Sequence, residues 1–199
     1  MISDCSRSFV PCCQNLALET DPNAFGELKP STFHPGEEDH LRQSMDDDGY
    51  LYLPGFFERE DVLAARRHVV EQLAKEGDLE PGTDPMDAVA RSGTEMKFRA
   101  DLAEVNEPLK RILYHGRIMR FYRALFGESV MHFTYTWFRA IRPGTGTKPH
   151  CDVVYMGRGT RDRLYTAWVP TGDVPMNIGG LMLLEGSHQQ QNRLRNYLE

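Results

Sequence analysis

Apolar positions recur at intervals of three and four in the first two-thirds of this chain, and alternate with polar ones in the last third. The pattern predicts helices followed by strands. Leu41 to Asp47 reads as a short helix, Asp48-Gly49 as a turn, and Tyr50 to Leu53 as a short strand closed by Pro54-Gly55. Glu58 to Lys75 reads as a longer helix: Val62, Ala65, Val69 and Leu73 share one face, acidic residues crowd the first turn, and Gly77 can end it. Residues 77 to 100 carry Gly, Pro and Asp at short intervals and read as a long loop, the segment expected to set selectivity. Asn106 can cap a further helix with Pro108 in its first turn and Leu109, Ile112 and Leu113 as its apolar stripe. After an interruption at Gly116, Ile118 to Phe126 continues as helix, with Met119, Tyr122, Leu125 and Phe126 expected inside and Gly127 as the stop.

From Val130 the period changes. Phe133, Tyr135 and Trp137 alternate with His132, Thr134 and Thr136 up to Pro143-Gly144, a β-branched and aromatic run expected to form a strand with its aromatic face in the core. A Gly/Thr-rich turn, 144 to 147, leads into an extended run at His150, and Leu164 to Pro170 and Gly180 to Leu184 read as further strands. Residues 1 to 40 lack periodicity and read as an irregular leader, which leaves 41 to 199 as one domain. Helices first and β segments afterwards indicate an α+β chain with a mainly β core, a helix-buttressed sandwich or barrel rather than a parallel βαβ sheet.

Composition narrows the class. With 199 residues, 40% hydrophobic and 26% charged, the chain can build one core and has no apolar run of membrane-spanning length. Met1 to Ala17 has no basic start and no continuous apolar stretch, so a signal peptide is not expected and a cytoplasmic location is. A net charge of −6 offers no basic face for nucleic acid. The local basic cluster from Arg158 to Arg163 reads first as a solvated loop and second as a contact for an anionic substrate. Cys5, Cys12 and Cys13 match neither a zinc pair nor a redox C-x-x-C and read as reduced thiols in the leader.

The candidate chemistry lies at His150-Cys151-Asp152. On an extended strand, residues two apart point to one face, so the imidazole and the carboxylate could grip one ion while Cys151 turns away. A facial site for non-haem Fe(II) needs two His and one carboxylate and leaves its remaining positions open. This triplet supplies one His and the carboxylate. A lone His150 reads otherwise as a structural hydrogen-bonding residue, and His115 and His132 read as structural or exposed.

Four blocks stand out together: Asp48-Gly49-Tyr50-Leu51-Tyr52-Leu53-Pro54-Gly55-Phe56-Phe57, His150 to Tyr155, Ala167-Trp168-Val169-Pro170, and Gly179 to His188. In this order and spacing they resemble the phytanoyl-CoA dioxygenase family of Fe(II)- and 2-oxoglutarate-dependent oxygenases. The resemblance implies a double-stranded β-helix (jelly roll, cupin-like) with N-terminal helices packed on it. It implies His150 and Asp152 as iron ligands, Trp168 lining the 2-oxoglutarate pocket, Tyr155 near the site, and Gly179 in a tight turn beside it. The implied activity is hydroxylation of a small organic substrate with Fe(II) as cofactor and 2-oxoglutarate as cosubstrate. Asp152 favours hydroxylation over halogenation, because related halogenases carry a small residue there.

The family's second His ligand and the basic residue that pairs with 2-oxoglutarate lie beyond the Gly-Ser-His element, and Glu199 comes before either. The chain therefore reads as a fragment lacking its C-terminal strands. Two other readings stand beside it: an inactive jelly-roll module that binds a ligand or partner, and a cupin-like metal protein that completes its site with His188.

Overall fold

A computed structural model describes residues 11–13, 16–94, 98–141, 147–156, 163–190, 192, 193 and 195. Cys5, most of the basic cluster at 158–163 and most of the 144–147 turn lie outside them, as does most of the tail after Gln190.

The frame is helical. Helix α1 spans Glu38–Asp48 and α2 spans Arg59–Glu76. Both end where the sequence places a glycine. Gly49 (φ 77°) and Gly77 (φ 80°) adopt the left-handed conformation, and each donates its N–H back to the last turn of its helix. Helix α3 spans Ala100–Glu104, α4 Glu107–Tyr114 and α5 Arg117–Phe126.

Helix α2 packs chiefly on α4. Ala65 of α2, with Ala103, Leu109 and Ile112, forms one buried cluster; Val69, Val70 and Leu73, with Leu79 and Leu102, form a second. Burying the Val, Leu and Ile side chains among these contributes about 1.5–3 kcal/mol each. Asn106 locks this pair of helices. Its Oδ1 accepts from Leu109 N at 2.9 Å and its Nδ2 donates to the Ala65 carbonyl at 2.9 Å. The cap predicted from sequence is thus also a bond between helices.

A third cluster joins Leu41 of α1 to Phe121 and Leu125 of α5. The buried residues of α5 are Ile118, Phe121 and Leu125, whereas Met119, Tyr122 and Phe126 are only partly covered. The sequence offers apolar residues on both flanks of this helix, so its neighbours choose the face. Phe121 meets Phe33 at 5.3 Å and Phe56 at 5.5 Å between ring centroids. Arg42 of α1 fastens the same contact by donating to the Ala124 and Leu125 carbonyls at the end of α5.

Phe33 belongs to the expected leader, so the end of that segment is part of the core. Pro30 also bridges Tyr52 in parallel, and Cys12–Cys13 pairs antiparallel with Leu16–Ala17. The long loop after α2 is more ordered than its composition suggests. Leu79 bridges Ala90, Asp84 caps a short 3-10 turn at Pro85–Asp87, and Arg66 of α2 donates twice to the Met86 carbonyl at 3.0 and 2.7 Å.

Beyond Val130 the described chain has no hydrogen-bonded strand, and its regular feature before His150 is an isolated antiparallel bridge, Phe98 to Arg139. Phe138 and Ala140 pack on the α2 cluster. The alternate face, expected in the core, is open: Phe133, Tyr135 and Trp137 are 50, 45 and 38% exposed. These rings pack on one another, Tyr135 against Trp137 at 4.8 Å and Phe133 against Trp137 at 6.3 Å, and Phe98 stacks on Tyr135, yet all three stay partly open to solvent.

Candidate metal-binding pair

His150 and Asp152 come together. His150 Nε2 lies 3.0 Å from Asp152 Oδ1, with side-chain exposures of 23 and 34%. The local backbone differs from the expected strand. After Asp152 the chain bends into a helical turn, α6 (Val153–Met156), because the Asp152 carbonyl accepts from Tyr155 N at 2.9 Å and Met156 N at 3.1 Å. Val153 and Val154 favour strands, yet these local bonds satisfy the backbone donors where no described neighbouring strand competes for them. The turn brings Tyr155 back over His150, edge to face at 5.7 Å. Cys151 is a half-buried free thiol.

The hydrogen bonding decides what the pair can hold. His150 Nδ1 lies 2.6 Å from the Lys148 carbonyl, and a carbonyl can only accept, so Nδ1 carries the proton. In the neutral ring Nε2 then bears a lone pair, which faces a carboxylate oxygen that also can only accept. Two acceptors at 3.0 Å require a cation between them, either a proton or a metal ion. Two adjacent donors on an octahedral ion, each about 2.1 Å from it, are about 3.0 Å apart. The pair therefore fits two neighbouring positions of a small divalent ion, with its imidazole oriented through the outer nitrogen as metal-bound histidines usually are.

Trp168 is 50% exposed on the 163–170 segment, and no ring contact or hydrogen bond joins it to His150 among the described residues. Gly179 has φ 123°, a backbone conformation that favours glycine, although a Cβ there would meet nothing within 4 Å. His188 does not complete the pair. Its Nε2 bonds the Asp46 carbonyl at 3.0 Å, and no group of three His, Cys, Asp or Glu residues suited to a metal occurs among the described residues. His132 stacks on Tyr114 at 4.4 Å and His115 ends α4, as the structural reading expects. Sequence reasoning missed Lys148, whose contribution is a backbone carbonyl and leaves no side-chain signature.

The family model described as Phytanoyl-CoA dioxygenase (PhyH) matches residues 45–198. The chain is 27% identical over 166 residues to a 1-deoxypentalenic acid 11-beta-hydroxylase of Streptomyces exfoliatus, covering 79% of this chain and 56% of that protein. It is 26% identical to the protein of the same name from Streptomyces arenae, with the same coverage. The chain thus spans little more than half the length of these relatives. No solved structure matches it significantly. No helix among the described residues is long and apolar enough to cross a membrane.

Proposed function

Since the chain belongs to the phytanoyl-CoA dioxygenase family, we propose that it is part of an Fe(II)- and 2-oxoglutarate-dependent dioxygenase that hydroxylates a carbon of a small organic substrate. The observation that carries the proposal is the 3.0 Å approach of His150 Nε2 to Asp152 Oδ1 with Nδ1 engaged by a carbonyl. The relatives' description as hydroxylases supports the reaction class and leaves the substrate of this chain open.

In this reading Nε2 of His150 and the carboxylate of Asp152 would hold the ion. When bound, ferrous iron supplies the redox chemistry that couples 2-oxoglutarate decarboxylation to substrate hydroxylation. The Lys148 carbonyl accepts the Nδ1 proton, which would leave the Nε2 lone pair free for the ion. Tyr155 packs edge to face beside the imidazole. Trp168 is assigned to the 2-oxoglutarate pocket on its position in the family pattern. The double-stranded β-helix belongs to the same proposal, supported by the alternation at 130–142 and by the family match.

The test is Fe(II)-dependent succinate formation from 2-oxoglutarate by the protein, its His150→Ala variant and its Asp152→Ala variant, with metal uptake measured in parallel. Turnover by the parent and its loss in both variants is the expected result. Normal turnover in either variant, or a parent that takes up no divalent metal, overturns the assignment. A folded parent that takes up metal and forms no succinate would favour the binding-module reading instead.

A further inference from the structure

The two residues of the pair are held in different ways. Asp152 heads the α6 turn, whereas residues 147–150 lie in no helix or strand. What fastens that limb is a side chain from elsewhere. Arg139 Nη1 donates to Thr147 Oγ1 at 2.7 Å, one residue before the carbonyl that bonds His150 Nδ1.

Arg139 is itself tied to the helical frame. It forms an antiparallel bridge with Phe98, and its guanidinium carbon lies 5.9 Å from the Phe98 ring centroid. The Phe98 ring also stacks on Tyr135 at 6.1 Å. Next to it, Arg99 N donates to the Phe138 carbonyl at 2.9 Å, and the Arg99 side chain reaches Glu76 at 2.8 Å and Asp78 at 3.5 Å, at the end of α2. A continuous series of contacts therefore runs from the end of α2 through 98–99 and Arg139 to Thr147, and from there along the backbone to His150.

Resting on the reading above, we propose that Arg139 is a positioning residue for the metal-binding pair: by holding Thr147 it fixes the limb 147–150 and so the direction of the His150 Nε2 lone pair. A guanidinium suits this role because its donors form a rigid planar fork on a charged group, which makes the bond to a hydroxyl directional. It also makes the end of the 77–100 loop, at Phe98, a structural support for the site.

The test is calorimetric titration of the chain with Mn(II), comparing the parent, Thr147→Val, Thr147→Ser, Arg139→Met and the Thr147→Val/Arg139→Met double variant. Thermal unfolding without metal serves as the folding control. Thr147 and Arg139 are exposed, so Thr147→Val, which keeps the side-chain shape, should leave unfolding unmoved. Outer-sphere contacts typically change metal affinity about 10–100-fold, and about tenfold weakening is expected for Thr147→Val and for Arg139→Met. Thr147→Ser, which keeps the hydroxyl, should bind like the parent, and the double variant should be no weaker than either single one. Unchanged affinity in Thr147→Val, or additive losses in the double variant, overturns the positioning role while the pair stands. If the parent takes up no Mn(II), the functional reading fails separately, and positioning is then judged from the His150 ring nitrogen shifts, assigned with His150→Ala. Thr147→Val should move those shifts; unmoved shifts overturn the proposal.

Discussion

The imidazole of His188 lies over Gly49 so closely that a Cβ built on the glycine would stand 2.2 Å from its Nδ1. Its Nε2 meanwhile bonds the Asp46 carbonyl at 3.0 Å, 142 residues away in the chain. Tyr50 adds a second link, its hydroxyl lying 3.3 Å from Glu185 Oε1 while accepting from Lys29 N at 3.0 Å. The Gly-Ser-His element is thereby docked on the end of α1. Gly49 is required twice over, by its left-handed backbone and by the ring above it.

Gly49→Ala should therefore be costly. The left-handed conformation alone costs a non-glycine residue about 1–2 kcal/mol, and the methyl must also displace His188. Urea unfolding should show a loss beyond that backbone cost, part of which is absent when Gly49→Ala is made in a His188→Ala background. A change within about 0.5 kcal/mol, the size ordinary surface substitutions give, would mean that the two residues are not packed as described.

Asn106 supports the other half of the frame. It is fully buried and makes both of its bonds inside the α2–α4 contact. Asn106→Ala removes the cap, worth about 1 kcal/mol, and the bond to the Ala65 carbonyl, worth about 0.5–1.5 kcal/mol more because that carbonyl lies inside α2 and keeps its place in the helix ladder. Asn106→Asp keeps an acceptor for Leu109 N but sets a carboxylate against the Ala65 carbonyl. Both variants should lower the urea midpoint, and an unaffected midpoint in Asn106→Asp would show that the bond to α2 is dispensable.

What the sequence reveals of this fold follows the range of the interactions. Gly77 and Asn106 announce the ends of their helices because a cap acts within one turn, and the ends of α2 fall within a residue of the expected ones. The buried face of α5 is not legible, since Ile118, Met119, Phe121 and Tyr122 are all apolar and the choice belongs to Phe33 and Phe56. The contact of His188 with Asp46 is likewise invisible, because nothing in either local pattern names a partner so distant. The approach of His150 to Asp152 was legible from a spacing of two, although a turn achieves it where a strand was expected. Alternation at Phe133, Tyr135 and Trp137 identifies a shared face; it says nothing of what covers that face.

Arg99 gives the stability a pH signature. Its hydrogen bond to Asp101 holds that carboxyl below its ordinary value of 3.8. Glu76 is held below 4.5 first by its bond from Gln72 and then by Arg99. A carboxyl lowered on folding stabilises the protein above its unfolded value, and that contribution is lost as pH falls through the folded one. The window thus opens as pH falls past 4.5 and continues below 3.8. Arg99→Met should flatten this acid limb, and because these groups are partly exposed the effect should shrink with added salt. Urea unfolding at neutral pH and below 3.8 checks it; parallel losses in the parent and the variant would remove Arg99 from the account.

The facing lone pairs of His150 and Asp152 make a sharper prediction than simple deletion. Asp152→Asn keeps size and shape but substitutes an amide, whose N–H can donate directly to His150 Nε2. The conflict between two acceptors then disappears without any ion. Metal uptake should fall at least tenfold, since a charged ligand is replaced and the imidazole lone pair is occupied, as expected when ligand and partner geometry both change. Metal-free stability should stay level or rise by about 0.5–1.5 kcal/mol, the usual net worth of one hydrogen bond. A structural pair would behave in the opposite sense: if imidazolium and carboxylate formed a stabilising ion pair, the neutral amide would weaken it and the metal-free variant would unfold more easily. Calorimetric metal titration and urea unfolding of the same variant therefore separate a site built for a cation from a salt bridge that merely holds two loops together.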